Sequence, residues 1–362
     1  MIFVIFSYFV IEKNVSLQIV INCMQKISVV ILNWNGRKFL EKFLPPLVSH
    51  TPSWAEIVVA DNASSDDSVE FMQSHYPNLR LILNEDNFGF AKGYNQALQQ
   101  IDAQYYCLLN SDVEVSPQWL EPVINYLDTH PDVAVCQPKL LAFAEQKHFE
   151  YAGAAGGFVD KYGYPFCQGR LFDCVEEDKG KYNEVKEIFW ATGACMFIRS
   201  KVYHGLGGLD DDFFAHMEEI DLCWRAKNAG HKVVYIPDSV VYHVGGGTLP
   251  KNSPRKTYLN FRNNLTLLYK NLPKHRILWV FLLRFVLDFV ASIRFLSDTG
   301  WGDFAAVFKA YSSFYGSLRK NGKKRNGTPH RKVSQTYNKS IVFDYYIRKK
   351  KVFSDLNPQD FS

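Results

Sequence analysis

The sequence predicts an α/β fold in which a mainly parallel β-sheet is flanked by helices and followed by a C-terminal amphipathic helical appendage. Three observations favour it: short apolar runs alternate with segments of helical spacing, the runs end in polar residues, and the chain changes character after Gly247. Strands that alternate with helices are typical of parallel sheets. The 362 residues leave room for one large domain with an appendage.

The predicted elements alternate from the first apolar run onward, because short β-branched runs favour strands buried on both faces. We predict strands at residues 27–32, 57–60, 79–83 and 105–109, and helices at 37–48, 68–75 and 94–100. After residue 136 the pattern weakens into a mixed extension of the sheet. A buried strand at 192–198, a helix within 213–229 and short strands at 233–237 and 240–243 then follow.

Polar side chains stand where these strands end. They are Asn33, Asn35, Asp61, Asn62, Asn110 and Asp112. Ligands of parallel α/β sheets bind at the carboxyl ends of the strands. We therefore expect several loops to converge on one crevice.

The charge is distributed unevenly. Residues 309–351 carry 13 Lys and Arg against one acid, so a net charge of +4 leaves −8 for the rest of the chain. Residues 276–296 are apolar but contain Arg284, Asp288 and Arg294, which predicts an amphipathic helix lying on a membrane or docked on the domain. We expect peripheral contact with an anionic membrane rather than nucleic acid.

The chain divides into four predicted parts. Residues 1–23 are expected to be a non-native or disordered extension, since Met24 directly precedes the first strand. A catalytic domain follows at 24–248, then a helical, membrane-associated segment at 249–319 and a basic tail at 320–362, in which 320–332 is predicted to be a mobile linker. The seven cysteines form no C-x-x-C pair, which favours reduced thiols and a cytoplasmic protein at the inner face of the membrane.

Five segments together resemble a known family. They are VVILNWNG at 29–36, DNASSDDS at 61–68, NFGFAKGYN at 87–95, LLNSDV at 108–113 and FAHMEEIDLCWR at 214–225. Their order and spacing resemble family 2 glycosyltransferases, most closely the rhamnosyltransferase-like branch, over about residues 26–265. The resemblance implies a GT-A fold, a nucleotide-sugar donor, Mg or Mn, and inversion at the anomeric carbon.

The resemblance also implies roles for single residues. Asp61 takes the place of the acid that accepts a hydrogen bond from the pyrimidine N3–H, so UDP and dTDP donors both stay open. Further donor contacts are expected from Asn33, Asn35, Asn62, Asn87, Lys92, Asn95, Asn110 and Asp112.

The predicted metal ligands are Asp112 and His243. A carboxylate fixed behind a buried strand suits a divalent ion, which offsets the charge of a leaving diphosphate. The family's Asp-x-Asp pair is Asn110-Ser-Asp112 here, so donor phosphates must complete the metal shell. Glu219 stands where the family has an aspartate as general base, and its extra methylene changes the reach of the carboxylate. Asp221 and Arg225 are expected to pair as scaffold.

The predicted reaction moves a single sugar onto a hydroxyl of a lipid-linked or glycan acceptor in cell-surface glycan biosynthesis. Two alternatives stay open. A nucleotidyltransferase also uses an α/β sheet, a metal and a nucleotide, although Asn33-Trp-Asn-Gly36 lacks the glycine-rich basic loop that would hold a triphosphate. The other alternative is a membrane-associated protein that binds a nucleotide sugar but is catalytically inactive, because Asn110 and Glu219 depart from the family pattern.

Overall fold

The computed structural model describes residues 25–245, 253–327 and 329–362. The extension predicted at 1–23, the Met24 start and the predicted boundary between residues 248 and 249 lie outside these ranges. Nine strands of the described chain form a central sheet in the order β11-β13-β6-β12-β4-β1-β2-β3, with β5 paired to β13. Its strands are β1 Gln25–Asn33, β2 Ala55–Asp61, β3 Arg80–Leu83, β4 Ala103–Asn110, β5 Val113–Val115, β6 Val133–Ala142, β11 Lys186–Ile188, β12 Cys195–Arg199 and β13 Lys232–His243.

One half of this sheet is parallel. Strands β4, β1, β2 and β3 run in the same direction, whereas β12 is antiparallel to both β4 and β6. In this register Asn33 pairs with Asp61, and Leu32 pairs with Asn110. Three strand ends therefore lie level at one edge, as the alternation of the sequence predicts. The two short strands predicted near the end of the domain are one strand, β13, whose register shifts between Ile236 and Val240.

Helices cover both faces of the sheet. Helices α1 Arg37–His50, α2 Ser68–His75 and α4 Glu121–Thr129 pack on one face, against the side chains of Val29 and Ile31. The other face, which Val30 joins, is covered by α3 Gly89–Leu98 and α6 Glu218–Asn228, with α5 Ser200–Gly205 beside them. Alternate residues of β1 thus enter opposite cores, which explains its unbroken apolar run.

A second sheet lies within the predicted mixed extension. It has the order β10-β9-β8-β7-β14 and comprises β7 Gly157–Asp160, β8 Pro165–Cys167, β9 Arg170–Leu171, β10 Cys174–Val175 and β14 Thr336–Tyr337. Strand β14 comes from the C-terminal part of the chain, and Tyr337 is fully buried there. Helix α11 Ile341–Tyr346 and short 3-10 turns at Phe353–Asp355 and Pro358–Asp360 follow it.

The C-terminal helices are α7 Pro254–Asn271, α8 Lys274–Asp298, α9 Trp301–Gly316 and α10 Leu318–Asn326. The prediction of a mobile linker at 320–332 is wrong over its first part, because α10 extends to Asn326. Two of its lysines, Lys320 and Lys324, make ion pairs of 2.5 and 2.6 Å with Asp212. The predicted boundary between residues 319 and 320 falls inside this helix. None of the described helices has the length and apolar character needed to cross a bilayer.

Candidate active site

The loops after β1 and β2 are joined by buried polar contacts. Asn33 donates from Nδ2 to Asp61 Oδ2 at 2.9 Å, and Ser64 donates to both oxygens of the same carboxylate. Asn33 and Asp61 are 0% and 2% exposed. A Cβ at position 36 would collide with Asn33 Oδ1, so glycine is required there. Asp61 is thus a rigid, hydrogen-bonded acceptor at the predicted donor site.

Asn35 ties the same two loops together from the outside. Its backbone has a positive φ of 51°, and its Oδ1 accepts a 2.7 Å hydrogen bond from the amide of Ser65. The backbone amide of Asn35 donates to Ser64 Oγ at 2.9 Å. Through these contacts Asn35 stabilises the two loops that are predicted to bind the donor.

The loop before α3 is fixed through Asn62. Its Nδ2 donates to Asn87 Oδ1 at 3.0 Å and to the carbonyl of Gly89 at 3.1 Å. Lys92, one turn into the helix, holds its ammonium 3.9 Å from the centre of the Phe88 ring. Hydrogen bonds therefore join residues 61–62 to residues 87–92 beside the ends of the strands.

Asn95 is placed differently from the other predicted donor residues. Its Nδ2 donates to the carbonyl of Leu209 at 2.7 Å and to Asp211 at 2.6 Å, while its Oδ1 accepts from Tyr203 and from the amide of Leu209. Both ends of the amide are satisfied by the protein. The structure gives Asn95 a role in positioning the loop at 209–211 rather than a place at the strand ends.

Asp112 and His243 meet because β5 pairs with β13. Val113 lies opposite His243 in this pairing, and His243 Nε2 is 3.1 Å from Asp112 Oδ1 across 131 residues of sequence. Both side chains are 6% exposed. Asn110 is attached to the adjoining strand, since its backbone amide donates to the carbonyl of Ala194 at 3.0 Å. The predicted pair of metal ligands is thus brought together.

Glu150 is a third member of this cluster that sequence reasoning missed. Its Oε1 lies 3.2 Å from His243 Nδ1, and its Oε2 accepts from the amide of Ala152 at 2.5 Å. Although burial opposes a charged imidazole, the hydrogen bonds to Asp112 and Glu150 raise the pKa of His243 to about 10. Glu150 sits in an irregular segment far from His243 in sequence, and no local pattern marks it.

Asp112 and His243 meet through a hydrogen bond of 3.1 Å, and at neutral pH the raised pKa keeps the imidazole protonated. A divalent ion would have to displace the proton between them, because only a neutral imidazole can ligate a metal. A carboxylate with a neutral imidazole suits Mn. Among the described residues, no group of three or more His, Cys, Asp or Glu side chains is arranged to hold a metal.

The segment before α6 is held in an unusual conformation. Phe214, His216 and Met217 have φ values of 64°, 70° and 75°, in the left-handed region that non-glycine residues rarely adopt. Asn263 of α7 holds it by donating to the carbonyls of Phe213, Ala215 and His216 at 2.7–3.0 Å.

This clamp fixes where α6 begins, and with it Glu218 and Glu219. The Oε2 atom of each glutamate is buried without a hydrogen-bond partner. Burial raises the pKa of Glu219 to about 7, and burial together with the neighbouring Glu219 raises the pKa of Glu218 well above its usual value. Burial thus favours the neutral form of both carboxyl groups, and the pKa of Glu219 lies near neutral pH.

His216, in the same segment, was not predicted to have a role of its own. Its Nε2 is buried without a partner. Burial, with the charge of Lys256 adding to it, lowers the pKa of His216 to about 4. The imidazole is therefore neutral at physiological pH. Its place inside the 214–225 motif is the signal that the sequence offered.

Asp221 differs from its two acidic neighbours. It is fully buried and is bound by Arg225 at 2.7 Å, Lys270 at 2.9 Å and Asn271 at 2.9 Å. Burial opposes its charge, but Lys270 and Arg225 outweigh it and lower the pKa of Asp221. The predicted scaffold pair of Asp221 and Arg225 is confirmed.

Short contacts connect the strand ends with the segment before Glu219. Asn110 bonds to Ala194, and a Cβ on the adjacent Gly193 would come within 2.9 Å of the Phe90 ring. The amide of Phe90 donates to the carbonyl of Phe214 at 2.7 Å. These contacts link the end of β4 at Asn110 with Phe214, which lies in the segment before α6.

The chain is similar to known proteins in sequence and in fold. Residues 28–205 match the family model described as glycosyl transferase family 2. This part of the chain is a family 2 glycosyltransferase domain. Among curated relatives, an N-acetylglucosaminyl-diphospho-decaprenol L-rhamnosyltransferase of Mycobacterium tuberculosis is 24% identical over 233 residues, which cover 60% of this chain and 75% of that protein. A low-salt glycan biosynthesis hexosyltransferase of Haloferax volcanii is 24% identical over 249 residues, covering 66% and 74%.

Solved structures share the fold. GalNAc-T7, determined with UDP, GalNAc and Mn²⁺, aligns with a TM-score of 0.57 and 16% identity, covering 90% of this chain and 57% of that one. S. aureus TarS 1-349 with UDP-GlcNAc aligns with a TM-score of 0.53 and 16% identity, covering 83% of each chain. The predicted GT-A fold and the rhamnosyltransferase-like branch are confirmed. The comparisons assign the chain to the glycosyltransferases of glycan biosynthesis and not to the nucleotidyltransferases.

Proposed function

We propose that this glycosyltransferase moves a single sugar from a UDP- or dTDP-linked donor to an acceptor hydroxyl, with inversion at the anomeric carbon. The proposal rests on the burial and the pKa of the Glu219 carboxyl group. Its carboxyl group has one enclosed oxygen without a partner and a pKa of about 7, and it follows a clamped segment that joins the strand ends. A general base works best when its pKa lies near the working pH.

The proton transfer follows from these groups. The acceptor oxygen attacks the anomeric carbon while Glu219 takes the hydroxyl proton, and the bond to the diphosphate breaks with its electron pair leaving on phosphate. Burial and the neighbouring Glu219 favour the neutral form of Glu218, which limits the negative charge beside the base. Attack from the face opposite the leaving group produces inversion.

The donor is assigned to the level edge of β1, β2 and β4. Under this proposal Asp61 accepts from a pyrimidine N–H, and Asn110 lies next to the diphosphate. Asp112 and His243 would hold Mg or Mn, which, when bound, offsets the negative charge of the leaving diphosphate. Support for the metal comes from the meeting of a carboxylate and an imidazole and from the Mn²⁺ in the GalNAc-T7 structure.

The acceptor is proposed to be a lipid-linked or cell-surface glycan precursor, reached at the cytoplasmic face of a membrane. The Mycobacterium relative supports a lipid-linked acceptor, since its name describes a diphospho-decaprenol substrate. The apolar, cationic C-terminal helices of this chain support contact with an anionic membrane.

A panel of UDP- and dTDP-sugars, each with and without Mn²⁺, tests the proposal. We expect one donor class to raise the melting temperature in a metal-dependent way, and the protein to release the nucleoside diphosphate when an acceptor is added. Stabilisation without turnover on any lipid-linked acceptor would favour the inactive binding protein that the Asn110 and Glu219 departures suggest. Release of pyrophosphate would contradict sugar transfer altogether.

A further inference from the structure

Helix α8 turns two of its charged side chains toward the protein. Arg284 and Asp288 are 2% and 1% exposed and lie 3.2 Å apart as an ion pair. Tyr164 and Tyr311 donate to the same aspartate at 2.9 and 2.8 Å. These two charges of the apolar segment are therefore satisfied inside the fold, whereas Arg294 is exposed near the end of the helix and pairs with the exposed Asp298 at 2.9 Å.

The outer side of α8 is apolar over most of its length, from Leu278 to Leu296. Its exposed apolar residues, each between 43% and 72% exposed, are Leu278, Trp279, Leu282, Phe285, Val286, Phe289, Val290, Ile293 and Leu296. Their spacing of three and four residues places them on one stripe of the helix. A helix of a water-soluble surface shows the opposite arrangement, with its apolar stripe turned inward.

The stripe continues onto α9. Phe289 and the 41%-exposed Phe308 have ring centroids 6.3 Å apart. Phe308 in turn lies 5.0 Å from Phe304, which is 4.9 Å from the 68%-exposed Trp301. We call the exposed α8 residues together with Trp301 and Phe308 the apolar face. Contiguous exposed apolar surface of this kind marks a site that another molecule or a membrane covers.

The border of the apolar face indicates what covers it. Lys274 at the start of α8 and Lys309 in α9 are exposed. Helix α11 lies against the end of α8, since its Tyr346 ring is 5.4 Å from Arg294. The exposed Lys349 follows α11. A second copy of the chain would carry the same cationic border, whereas anionic phospholipid head groups neutralise it.

The positions of two tryptophans also favour an anionic membrane as the partner that covers the apolar face. Trp279 and Trp301, which are 72% and 68% exposed, lie near the start of α8 and at the start of α9. Indole rings favour the head-group region of a bilayer. We propose that the apolar face lies in the interface of an anionic phospholipid bilayer, with α8 parallel to the membrane plane.

This orientation brings the catalytic region to the membrane. Arg284 contacts the side chain of Asn264, and the neighbouring Asn263 holds the carbonyls of the segment before Glu218. A chain of contacts thus connects α8 with the segment that precedes the predicted base. This step alone rests on the proposed function, and it suits an acceptor whose lipid stays in the membrane while its sugar enters the site.

Vesicle flotation with the full chain tests the membrane contact. We expect the protein to float with vesicles of phosphatidylcholine mixed with phosphatidylglycerol, and much less with phosphatidylcholine alone. The combined variant Leu282→Glu, Phe285→Glu and Val290→Glu should weaken binding about 100-fold or more, because three apolar side chains that the bilayer would bury are replaced by charges. Val185→Glu, at a 44%-exposed position off the face, is the matched control and should bind like the unmodified chain.

The outcomes separate the possible occupants. Circular dichroism and melting curves of the triple variant establish that it is folded. Failure of the unmodified chain to float, or undiminished flotation of the folded triple variant, overturns the proposal. So does a dimer in solution that the triple variant dissociates while vesicles remain unbound, because a second copy would then cover the face. Flotation with no sugar transfer leaves the membrane contact standing and counts against the reaction alone.

Discussion

At the scale of single residues, the two adjacent glutamates that open α6 both have raised pKa values. Burial acts on both, but Glu218 also lies in the field of Glu219, which raises its pKa further. Two adjacent carboxylates cannot both ionise cheaply away from water. Glu219, whose pKa is about 7, is therefore the member of the pair proposed as the base.

Glu219→Gln is expected to reduce transfer by about 100-fold or more, since general-base catalysis contributes at least that factor. Gln keeps the shape of the side chain but cannot take the proton. In the unmodified enzyme kcat/KM should fall as the pH drops below about 7, because the protonated carboxyl is inactive. Initial rates of nucleoside diphosphate release between pH 5 and pH 9 measure both effects.

The matched control for this change is Glu145→Gln, at an exposed position outside α6. It should leave the pH profile and the rate unaltered. Donor binding by the Glu219 variant, followed by thermal shift, should also persist. A Glu219 variant with normal turnover would show that another group accepts the proton.

Glu150 is expected to orient His243 as a metal ligand. A carboxylate on the second ring nitrogen of such a histidine fixes its tautomer and direction, and its loss typically costs 10- to 100-fold in metal affinity. Glu150→Gln should therefore weaken Mn²⁺ binding by about tenfold or more, measured by electron paramagnetic resonance of free Mn²⁺. Unchanged affinity in a folded Glu150 variant would contradict this role.

At the scale of elements, the sequence predicts what local patterns determine. The run at 27–32 and the polar residues behind it identify β1 and its functional end, because a doubly buried strand must be apolar throughout. The contact of Asp112 with His243 depends on β5 pairing with β13, and that short strand has no signal of its own. Glu150 and Asn263 were missed for the same reason: their partners are distant in sequence.

Helix α7 holds the segment before α6 through one side chain. Asn263→Ala removes hydrogen bonds to three carbonyls, each of which then lacks this donor. We expect the left-handed residues 214, 216 and 217 to relax and Glu219 to lose alignment, so kcat should fall about tenfold or more with little change in donor affinity.

The comparison for this change is Asn260→Ala, which alters a partly buried asparagine one turn earlier in the same helix. Steady-state kinetics of both variants, with donor and acceptor varied separately, distinguish a loss of alignment from a general loss of stability. Equal effects of the two changes would mean that Asn263 has no special role.

At the scale of the whole molecule, the C-terminal part of the chain completes the fold. Its basic composition predicts a tail, yet β14 joins the second sheet and α11 packs beside it. Composition could not show this, because the apolar residues that anchor the segment are sparse and their partners lie about 170 residues earlier, as between Tyr337 and Phe166. Deleting the region from residue 276 onward would therefore expose core as well as remove the apolar face.

Tyr337 provides the test of that view. It is fully buried, its ring lies 5.8 Å from Phe166 and 5.0 Å from Phe361, and its hydroxyl donates to the buried Asp344. Tyr337→Ala leaves a cavity and removes one hydrogen bond from Asp344, which keeps its ion pair with Arg348 at 3.0 Å. By analogy with other buried aromatic side chains it should cost about 3–5 kcal/mol of unfolding free energy. Denaturant unfolding measures this, with Tyr315→Ala at a 53%-exposed position as the control. If both variants unfold at the same denaturant concentration, the C-terminal segment is a dispensable tail; a loss confined to Tyr337→Ala makes it part of the cooperative core.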